Sequence, residues 1–425
     1  MKRIASCIWV GLFLLVLGAC VVIERPRRDR SAVGYRFESD PRAVLAKSAI
    51  IKSRDPKLAV RASGALYMLG VYETEGRSRL GLFISHDGGD RFAPPVPISD
   101  SAADVSSHGE NSPSLAFGAT EIYALWEQAR ADGNTDLMFS RSLNFGRDFQ
   151  KPIRVTDQPT PTGNSFSYLA VAPNGHLYAV WLDARDLKLG PPGTSAVYLA
   201  KSSDRGATFG KNVRAATGAC PCCRPNLAFG RNSEVFISWR KVFEGSIRDI
   251  VVAASKDGGE AFQAPVRVSV DNWKIEGCPH SGPALLQKAN RLYVAWYTEG
   301  DRQDGGIRCS WSEDGGKSFT QPVNVSRNIL DPNHPAMSIS ADGSPILVFQ
   351  GRDARERNGW GPLRAYLVET GEEGKFSDPL PALGNRQSIS YPALAAGIST
   401  QVFLAWTEVD EKGQSQIVLS RGRRL

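Results

Sequence analysis

The sequence predicts an all-β fold built from repeated four-stranded units. Three observations support this prediction: a turn pattern that recurs along the chain, a short apolar strand at a similar distance before each turn, and almost no helical periodicity. The turn pattern reads Ser-x-Asp-x-Gly-x-x-Phe, with Asn in place of Asp in its second copy. Five clear copies follow one another at intervals of 57, 60, 53 and 57 residues, starting at Ser85, Ser142, Ser202, Ser255 and Ser312.

Each residue of this pattern has a role in a turn. The Asp or Asn side chain accepts hydrogen bonds from backbone N–H groups ahead of it, Gly allows a positive φ, and Phe packs beneath the turn. A worn sixth copy ends in Phe376, 57 residues after Phe319. Five copies at a near-constant spacing indicate a repeat protein rather than a series of unrelated domains.

A short apolar strand, usually ending in Trp, lies about sixteen to twenty residues before each turn. Another short strand precedes it, an alternating strand follows it, and a strand of Pro-Val-x-Val type follows the turn. Four strands per unit predict the blades of a β-propeller. We expect seven blades, the last completed by a strand from the N-terminal segment near 48–52; six blades, with a terminal unit folded otherwise, are the alternative.

The repeated turn resembles the Asp-box, or BNR repeat, of the sialidase superfamily, and the resemblance covers about 57–422. It implies a sialidase-like β-propeller, and it implies an activity less specifically, because one fold carries many functions. Sialidase chemistry, as the resemblance implies, needs an arginine cluster for the substrate carboxylate, a Tyr nucleophile activated by Glu, and an Asp acid/base. The matching candidates are Tyr391, Glu299 and Asp183, but the Arg-Ile-Pro signature of the family is missing.

The first residues have the features of an export signal. Two basic residues, an apolar run over 8–17 and the ending Leu-Gly-Ala-Cys lead to Cys20. This ending resembles a bacterial lipobox, which would make Cys20 a lipid anchor in a membrane; a plain signal peptide with a chance cysteine is the alternative. Val21 favours the outer membrane or its periplasmic side. We therefore divide the chain into a signal over 1–19, a lipidated tether over 20–45 and a propeller over 46–425.

The charge of the chain argues against one class of partner. The formal net charge is +7, and no dense stripe of Lys and Arg interleaved with aromatic residues is present. Nucleic acid is therefore not an expected partner. A glycan, a peptide or an envelope protein remains.

The starts of the first strands and the ends of the second strands are predicted to meet at one mouth of the central channel. Three of the five histidines and four of the seven cysteines of the chain lie at the first-strand starts. Arginines there and at second-strand ends suit an anionic ligand, because guanidinium groups match carboxylates in bidentate fashion. The candidate ligand-binding residues are Arg224, Arg240, Arg352, His108 and His334.

A group of cysteines stands out among these positions. Cys220-x-Cys222-Cys223 and Cys278-x-His280 occupy equivalent places in neighbouring units. Thiolates and an imidazole so placed suit a zinc or copper(I) site. Disulfides are the alternative, because an exported protein meets an oxidising compartment; redox-active thiols are a third reading.

These observations predict a function of binding at the channel mouth, with a glycan, a peptide or a metal as ligand. An exo-glycosidase acting on acidic sugars is the alternative enzyme hypothesis. A structural or assembly protein that docks an envelope partner is the other alternative.

Overall fold

The computed structural model describes residues 34–38, 41–44, 52–100, 102–159, 163–300, 305–371, 374–382 and 388–425. The described chain is all-β, and helical structure is limited to short 3₁₀ turns such as Leu187–Leu189 and Glu244–Ser246. The predicted fold class is confirmed. None of the described residues forms a helix long and apolar enough to cross a membrane. The predicted signal and Cys20 lie outside the described residues.

The described strands form six sheets, one of which holds eight strands because Val213–Ala219 also pairs with Val235–Val242. We divide that sheet in two for description and call the resulting groups units 1 to 7; sequential strands pair in antiparallel fashion within each. Unit 1 contains Ser53–Val60, Leu66–Thr74, Arg77–Ser85 and Val96–Pro97. Unit 2 contains Val105–Ser106, Ser114–Phe117, Ile122–Ala129, Thr135–Ser142 and Ile153–Arg154. Unit 3 contains Asn164–Val171, Leu177–Asp183, Ser195–Ser202 and Val213–Ala219.

The remaining units repeat this plan. Unit 4 contains Asn226–Phe229, Val235–Val242, Arg248–Ser255 and Val266–Arg267. Unit 5 contains Ala284–Lys288, Arg291–Thr298, Gly306–Ser312 and Val323–Asn324. Unit 6 contains Ile329–Ile339, Pro345–Asp353, Arg364–Glu369 and Leu380–Pro381. Unit 7 contains Ile389–Ala396, Gln401–Val409 and Ser415–Arg424, with Tyr35–Phe37 and Arg42–Ala43 at its outer edge.

The first long strand of each unit, which we call its inner strand, packs beside the inner strand of the next unit. The inner strand of unit 7 packs in turn against that of unit 1. Asp55 N donates to Thr407 Oγ1 at 2.9 Å and Ile417 N donates to Ser53 Oγ at 3.0 Å. The succession of sheets is therefore closed, as in a β-propeller.

The outer edge of unit 7 is covered by the N-terminal segment. Tyr35–Phe37 and Arg42–Ala43 both pair with Ser415–Arg424. The sequence predicts such a strand near 48–52, of which 48–51 lie outside the described residues. The pairing strands also precede residue 46, the predicted start of the propeller. The propeller sheets thus begin earlier, because an unpaired edge strand gains hydrogen bonds from any segment that can reach it.

The repeated turn has the geometry that its residues predict. In the first copy, Ser85 Oγ donates to Asp87 Oδ1 and accepts from Gly89 N, both at 2.8 Å. The bond from Gly N to Ser Oγ recurs at 2.8 Å in the other four copies. Gly89 has a φ of 91°, and a Cβ there would lie 2.5 Å from Leu419 Cδ2 in unit 7. Backbone conformation and packing between units both require glycine at this place.

Tryptophans in the strand that follows the inner strand belong to the cores of five units. Five are at most 2% exposed: Trp126, Trp181, Trp239, Trp296 and Trp406. Trp181 Nε1 donates to Asp183 Oδ2 and Trp406 Nε1 donates to Glu408 Oε1, both at 2.8 Å. Acidic side chains two residues after these tryptophans thus pair a buried indole N–H.

Ser202→Ala tests the turn. It removes the oxygen that accepts from Gly206 N at 2.8 Å and leaves that buried N–H without its partner. We expect the free energy of unfolding to fall by about 1–3 kcal/mol, measured by chemical denaturation. Ser203→Ala, at the exposed neighbouring position, is the matched control and should change it by less than about 0.5 kcal/mol. Equal stability of the two variants would contradict the assigned role.

Candidate functional site

Several inner strands contain a bulge near their start. The pairing register shifts around one residue with positive φ at Asp55, Phe166, His334 and Tyr391, in units 1, 3, 6 and 7. A positive φ is uncommon for such residues and marks a backbone held by its surroundings. Because a bulge re-aims the side chains of its strand, residues from different units are directed to one place.

This place holds five ionisable side chains, which we call the central cluster: Lys57, Glu110, Arg224, His334 and Tyr391. Glu110 lies at its middle. Its Oε1 accepts from Gly282 N at 2.7 Å and from Arg224 N at 3.4 Å, and its Oε2 lies 3.3 Å from His334 Nδ1. The cluster therefore joins units 1, 2, 4, 6 and 7 around one carboxylate.

Two aromatic rings form one side of the central cluster. The ring centroids of His334 and Tyr391 are 4.1 Å apart, with an interplanar angle of 40°. Gly109 lies directly against the phenol: a Cβ at that position would be 2.2 Å from Tyr391 Cζ. Burial raises the pKa of Tyr391, and the Glu110 charge acts in the same direction. The phenol is therefore a neutral hydroxyl near neutral pH.

Burial and charge shift the other groups of the cluster. Burial lowers the pKa of Lys57 to about 7, with the positive charge of Arg224 acting in the same direction. Burial by itself would raise the pKa of Glu110, but the hydrogen bond and charge of His334 and the charge of Arg224 hold it below its usual value. Glu110 is therefore an anion at neutral pH, while Lys57 changes its charge there.

The donors and acceptors of this region are unequally satisfied. Arg224 Nε is buried and has no hydrogen-bond partner in the described part of the chain, although Arg224 Nη2 donates to Ser112. Lys57 interacts with the carboxylates of Asp55 and Glu110 through their charges. The carboxylates, in contrast, are occupied from within. Besides Glu110, Asp55 Oδ2 accepts from Ser107 Oγ at 2.6 Å. The region therefore offers the positive charges of Lys57 and Arg224 beside carboxylates that already accept hydrogen bonds.

Glu127 lies beside this region in the interior. It is 4% exposed, and its Oε2 accepts from Asn111 Nδ2 at 2.5 Å. Asn111 Oδ1 in turn accepts from Phe166 N at 2.7 Å, which ties unit 2 to unit 3. Burial raises the pKa of Glu127 to about 8 against the hydrogen bond from Asn111. This carboxyl is therefore largely protonated at pH 7.

The structure places Arg240 outside the cluster. It is 1% exposed, and all its donors bind backbone carbonyls. Nη2 donates to Ser281 O at 3.1 Å and to Tyr297 O at 2.7 Å, and Nη1 donates to Arg248 O at 3.0 Å. Arg240 thus links units 4 and 5, and its donors are occupied.

Two other predicted ligand-binding residues lie away from Glu110 and its partners. Arg352 Nε donates to Asp331 Oδ2 at 3.0 Å, and its Nη1 donates to Gly361 O. His108 is exposed, and its ring stands edge-on to Phe166 with centroids 6.3 Å apart. Of the five predicted ligand-binding residues, Arg224 and His334 therefore enter the central cluster.

The three predicted catalytic residues have separate surroundings. Tyr391 lies in the central cluster, whereas Glu299 accepts from the Tyr297 hydroxyl. Asp183 is fully buried, and besides the indole of Trp181 it accepts from Arg185 N and Nη2 at 2.8 Å each. The acid that lies beside Tyr391 is Glu110, not Glu299 or Asp183. Sequence reasoning missed Lys57, although it stands just before the apolar end of an inner strand, as the other candidates do.

The cysteines meet at the border of units 4 and 5. The Sγ atoms of Cys220, Cys222 and Cys223 are 3.5, 3.6 and 3.9 Å apart. The ligand atoms of Cys222, Cys278 and His280 form a second group within 4.8 Å, which shares Cys222 with the first. All five cysteines of the described ranges are free thiols, and Cys309 is buried in a different core. We call the five residues of these two groups the cysteine–histidine cluster.

Hydrogen bonds within the first group favour a thiolate at Cys220. Hydrogen bonds from the Cys222 and Cys223 thiols lower the pKa of Cys220, and the charge of Arg240 adds to this effect. Burial raises the pKa of Cys223. Arg248 Nη1 donates to Cys220 Sγ at 3.1 Å. The donor set, with up to four sulfurs and one imidazole, fits zinc or copper(I).

No protein-family model and no curated protein matches this chain. Solved structures do resemble it. An ulvan lyase, described as a polysaccharide lyase, aligns with a TM-score of 0.56 at 12% identity over 90% of this chain and 95% of its own. A Hadza microbial sialidase aligns at 0.53 and 13% identity over 91% of this chain and 68% of its own. A protein of unknown function from Dyadobacter fermentans aligns at 0.54 and 13% identity, over 92% and 100%.

The chain has a sialidase-like β-propeller fold. TM-scores of 0.53–0.56 support the fold, whereas identities of 12–13% carry no information about the chemistry of the site. Two of these structural neighbours are enzymes that act on glycans, and they carry out different reactions.

Glu127→Gln tests the buried carboxyl. The pKa of Glu127 is raised to about 8 from an ordinary value of 4.5, so the unfolded chain releases this proton at lower pH than the folded chain does. The free energy of unfolding should therefore fall as pH rises from about 4.5 to about 8, by at most about 1.4 kcal/mol per pH unit from this group. Glu127→Gln should lose this component and be the more stable protein at pH 8.

Glu411→Gln, at an exposed position, is the matched control and should keep the pH dependence of the natural protein. Thermal or chemical denaturation at pH 5, 6.5 and 8 makes the comparison, with the pH values chosen to span the titration window about the raised pKa. A Glu127→Gln protein with the same pH dependence as the control would contradict the buried, protonated state.

Proposed function

We propose that this protein binds an acidic glycan by holding a sugar carboxylate at the central cluster. The observation that carries the proposal is the unequal satisfaction of donors and acceptors there. Arg224 Nε is buried without a hydrogen-bond partner among the described residues and Lys57 carries a positive charge below a pKa of about 7, whereas Glu110 and Asp55 already accept internal hydrogen bonds. A ligand that brings acceptors and negative charge is therefore favoured over one that brings donors.

The aromatic pair supports a sugar as the bearer of that carboxylate. His334 and Tyr391 present two adjoining rings in the same cluster as Lys57 and Arg224. Sugar rings pack their C–H faces on such aromatic surfaces. The hydroxyl of Tyr391, neutral near pH 7 because burial raises its pKa, can donate to or accept from sugar hydroxyls. The named activities of the structural neighbours on glycans agree with this ligand class.

Hydrolysis or elimination of the bound glycan is the second candidate function. The observation that favours it is the opposite shift of two carboxyls: Glu110 has a lowered pKa and Glu127 a raised one, to about 8. Such a pair is typical of a site that needs both an anionic and a protonated carboxyl. Tyr391 lies next to Glu110, whereas Glu299 and Asp183 are occupied by other partners. Any catalytic role for Tyr391 would therefore involve Glu110.

The cellular setting is part of the proposal. An export signal ending at a lipidated Cys20 would hold the propeller at the cell envelope, where acidic polysaccharides are encountered. The charged segment 24–30 and the residues up to 33 would serve as the tether. A peptide or a protein partner at the same site is the competing outcome. The oligosaccharide probes described next distinguish the two, because a site for a peptide or protein would leave them unbound.

Lys57→Met tests the carboxylate site. Binding of a uronate oligosaccharide and of a sialylated oligosaccharide is measured by calorimetry, with a neutral oligosaccharide of equal length as control ligand. Removing a charge-assisted contact should weaken binding of the acidic probes by about tenfold or more. Lys151→Met, at an exposed position, is the matched control and should bind as the natural protein does. Equal affinity of the Lys57→Met and Lys151→Met proteins would overturn the proposal.

The pH dependence gives an independent test. The pKa of Lys57 is about 7, so its charge is present below that pH and is lost above it. Affinity for the acidic probes should therefore fall as pH rises above about 7, by up to tenfold per pH unit. Lys57→Arg keeps its charge throughout this range and should bind with little change between pH 6 and pH 9. A natural protein whose affinity is constant across that range would contradict the role of Lys57.

A further inference from the structure

We propose that the cysteine–histidine cluster is a binding site for a thiophilic d¹⁰ metal ion, copper(I) or zinc, held by the thiolates of Cys220, Cys222 and Cys223. Nothing in the glycan-binding proposal requires this site. It rests on the geometry of the three sulfurs, on their surroundings and on the second group of ligands beside them.

The three sulfurs are spaced for a common ion. Their separations are 3.5, 3.6 and 3.9 Å. Metal–sulfur bonds of about 2.3 Å with near-tetrahedral angles place two sulfurs about 3.8 Å apart. A metal at the centre of the triad therefore needs only small movements of the side chains. A disulfide between any two of them would instead leave one sulfur of the triad to pair with Cys278 or to remain a thiol.

The surroundings suit a soft ion. The three cysteines are 0–4% exposed and belong to an apolar core that includes Trp239 and Leu182. Thiolates in such a setting need compensating positive charge. Arg248 Nη1 donates to Cys220 Sγ at 3.1 Å, and Arg240 is buried nearby. A metal cation completes this compensation, and all-sulfur ligation selects copper(I) or zinc over harder ions.

The second group gives the buried triad a connection to solvent. Cys278 and His280 are exposed, and their ligand atoms lie with Cys222 Sγ within 4.8 Å of one another. Cys222 therefore belongs to both groups. An ion captured by Cys278 and His280 can pass to the triad by exchange of ligands at Cys222. The exposed pair is thus the access route, and it supplies a fourth ligand if the ion is zinc.

The test uses the full-length protein, reduced and handled without oxygen, and then loaded separately with copper(I) and with zinc. Bound metal per chain is measured by elemental analysis, and affinity by competition with a chelator of known affinity. We expect about one equivalent of one of the two ions, with sulfur-to-copper charge-transfer absorption if the ion is copper. Cys222→Ser should lose the metal, because it removes the sulfur that both groups share. Cys309→Ala, which removes a buried thiol from a different core, is the matched control and should retain it.

The double variant Cys278→Ala, His280→Ala separates access from storage. It should load the metal at least about tenfold more slowly, because the triad then lacks its exposed ligands, while Arg248 still supports the triad. If Cys222→Ser does not fold, alkylation of the natural protein decides instead: bound metal should slow modification of the three buried thiols and leave that of Cys309 unchanged. Retention of metal by folded Cys222→Ser would overturn the proposal. So would a protein that binds neither ion and contains a disulfide within the triad.

Discussion

Contact between the first and last units is the constraint on which the site depends. The inner strand of unit 1 is held against unit 7 by Asp55 N on Thr407 Oγ1 and by Ile417 N on Ser53 Oγ. The N-terminal segment adds its own pairing to the edge of Ser415–Arg424. These contacts join residues more than 300 positions apart, and the entropy of closing so long a loop grows only slowly with its length. Without closure, Tyr391 of unit 7 would not lie beside Glu110 of unit 2.

The loop that precedes the inner strand of unit 4 serves both proposed sites. Cys220, Cys222 and Cys223 are followed at once by Arg224, whose guanidinium donates to Ser112 in unit 2. Gly282, which donates to Glu110, comes two residues after His280. The two loops that supply metal ligands therefore also supply contacts of the central cluster. A metal ion bound by both loops would also restrict the positions of Arg224 and Glu110. The two proposed sites therefore depend on the same two loops.

The structural neighbours show how little the fold decides about chemistry. A sialidase and a polysaccharide lyase share this architecture at 12–13% identity with the chain. Their reactions differ, so the function must lie in the side chains at the inner strands. In this chain those side chains are a lysine with a pKa near 7, an internally paired carboxylate and two adjoining aromatic rings. The buried, unpartnered Arg224 Nε and the lysine charge beside carboxylates that already accept hydrogen bonds are the basis of the proposed anionic ligand.

The sequence by itself determined the all-β fold, the four-stranded units, the turns and the position of the cysteine–histidine cluster. These features are local or periodic: Ser85 bonds to a residue four positions away, and a buried tryptophan equivalent to Trp126 recurs in four other units. The meeting of Cys222 with Cys278 followed from equivalent positions in neighbouring units.

Only the tertiary structure decided which polar residues face one another. Arg240 and Asp183 stand at the expected strand ends, yet backbone carbonyls and a tryptophan indole occupy them. Lys57 joins the central cluster because a one-residue bulge at Asp55 redirects its strand and because unit 7 closes on unit 1. The physical reason is that the direction of a side chain on a strand changes with a single inserted residue, and the identity of its partner depends on pairing across the whole chain.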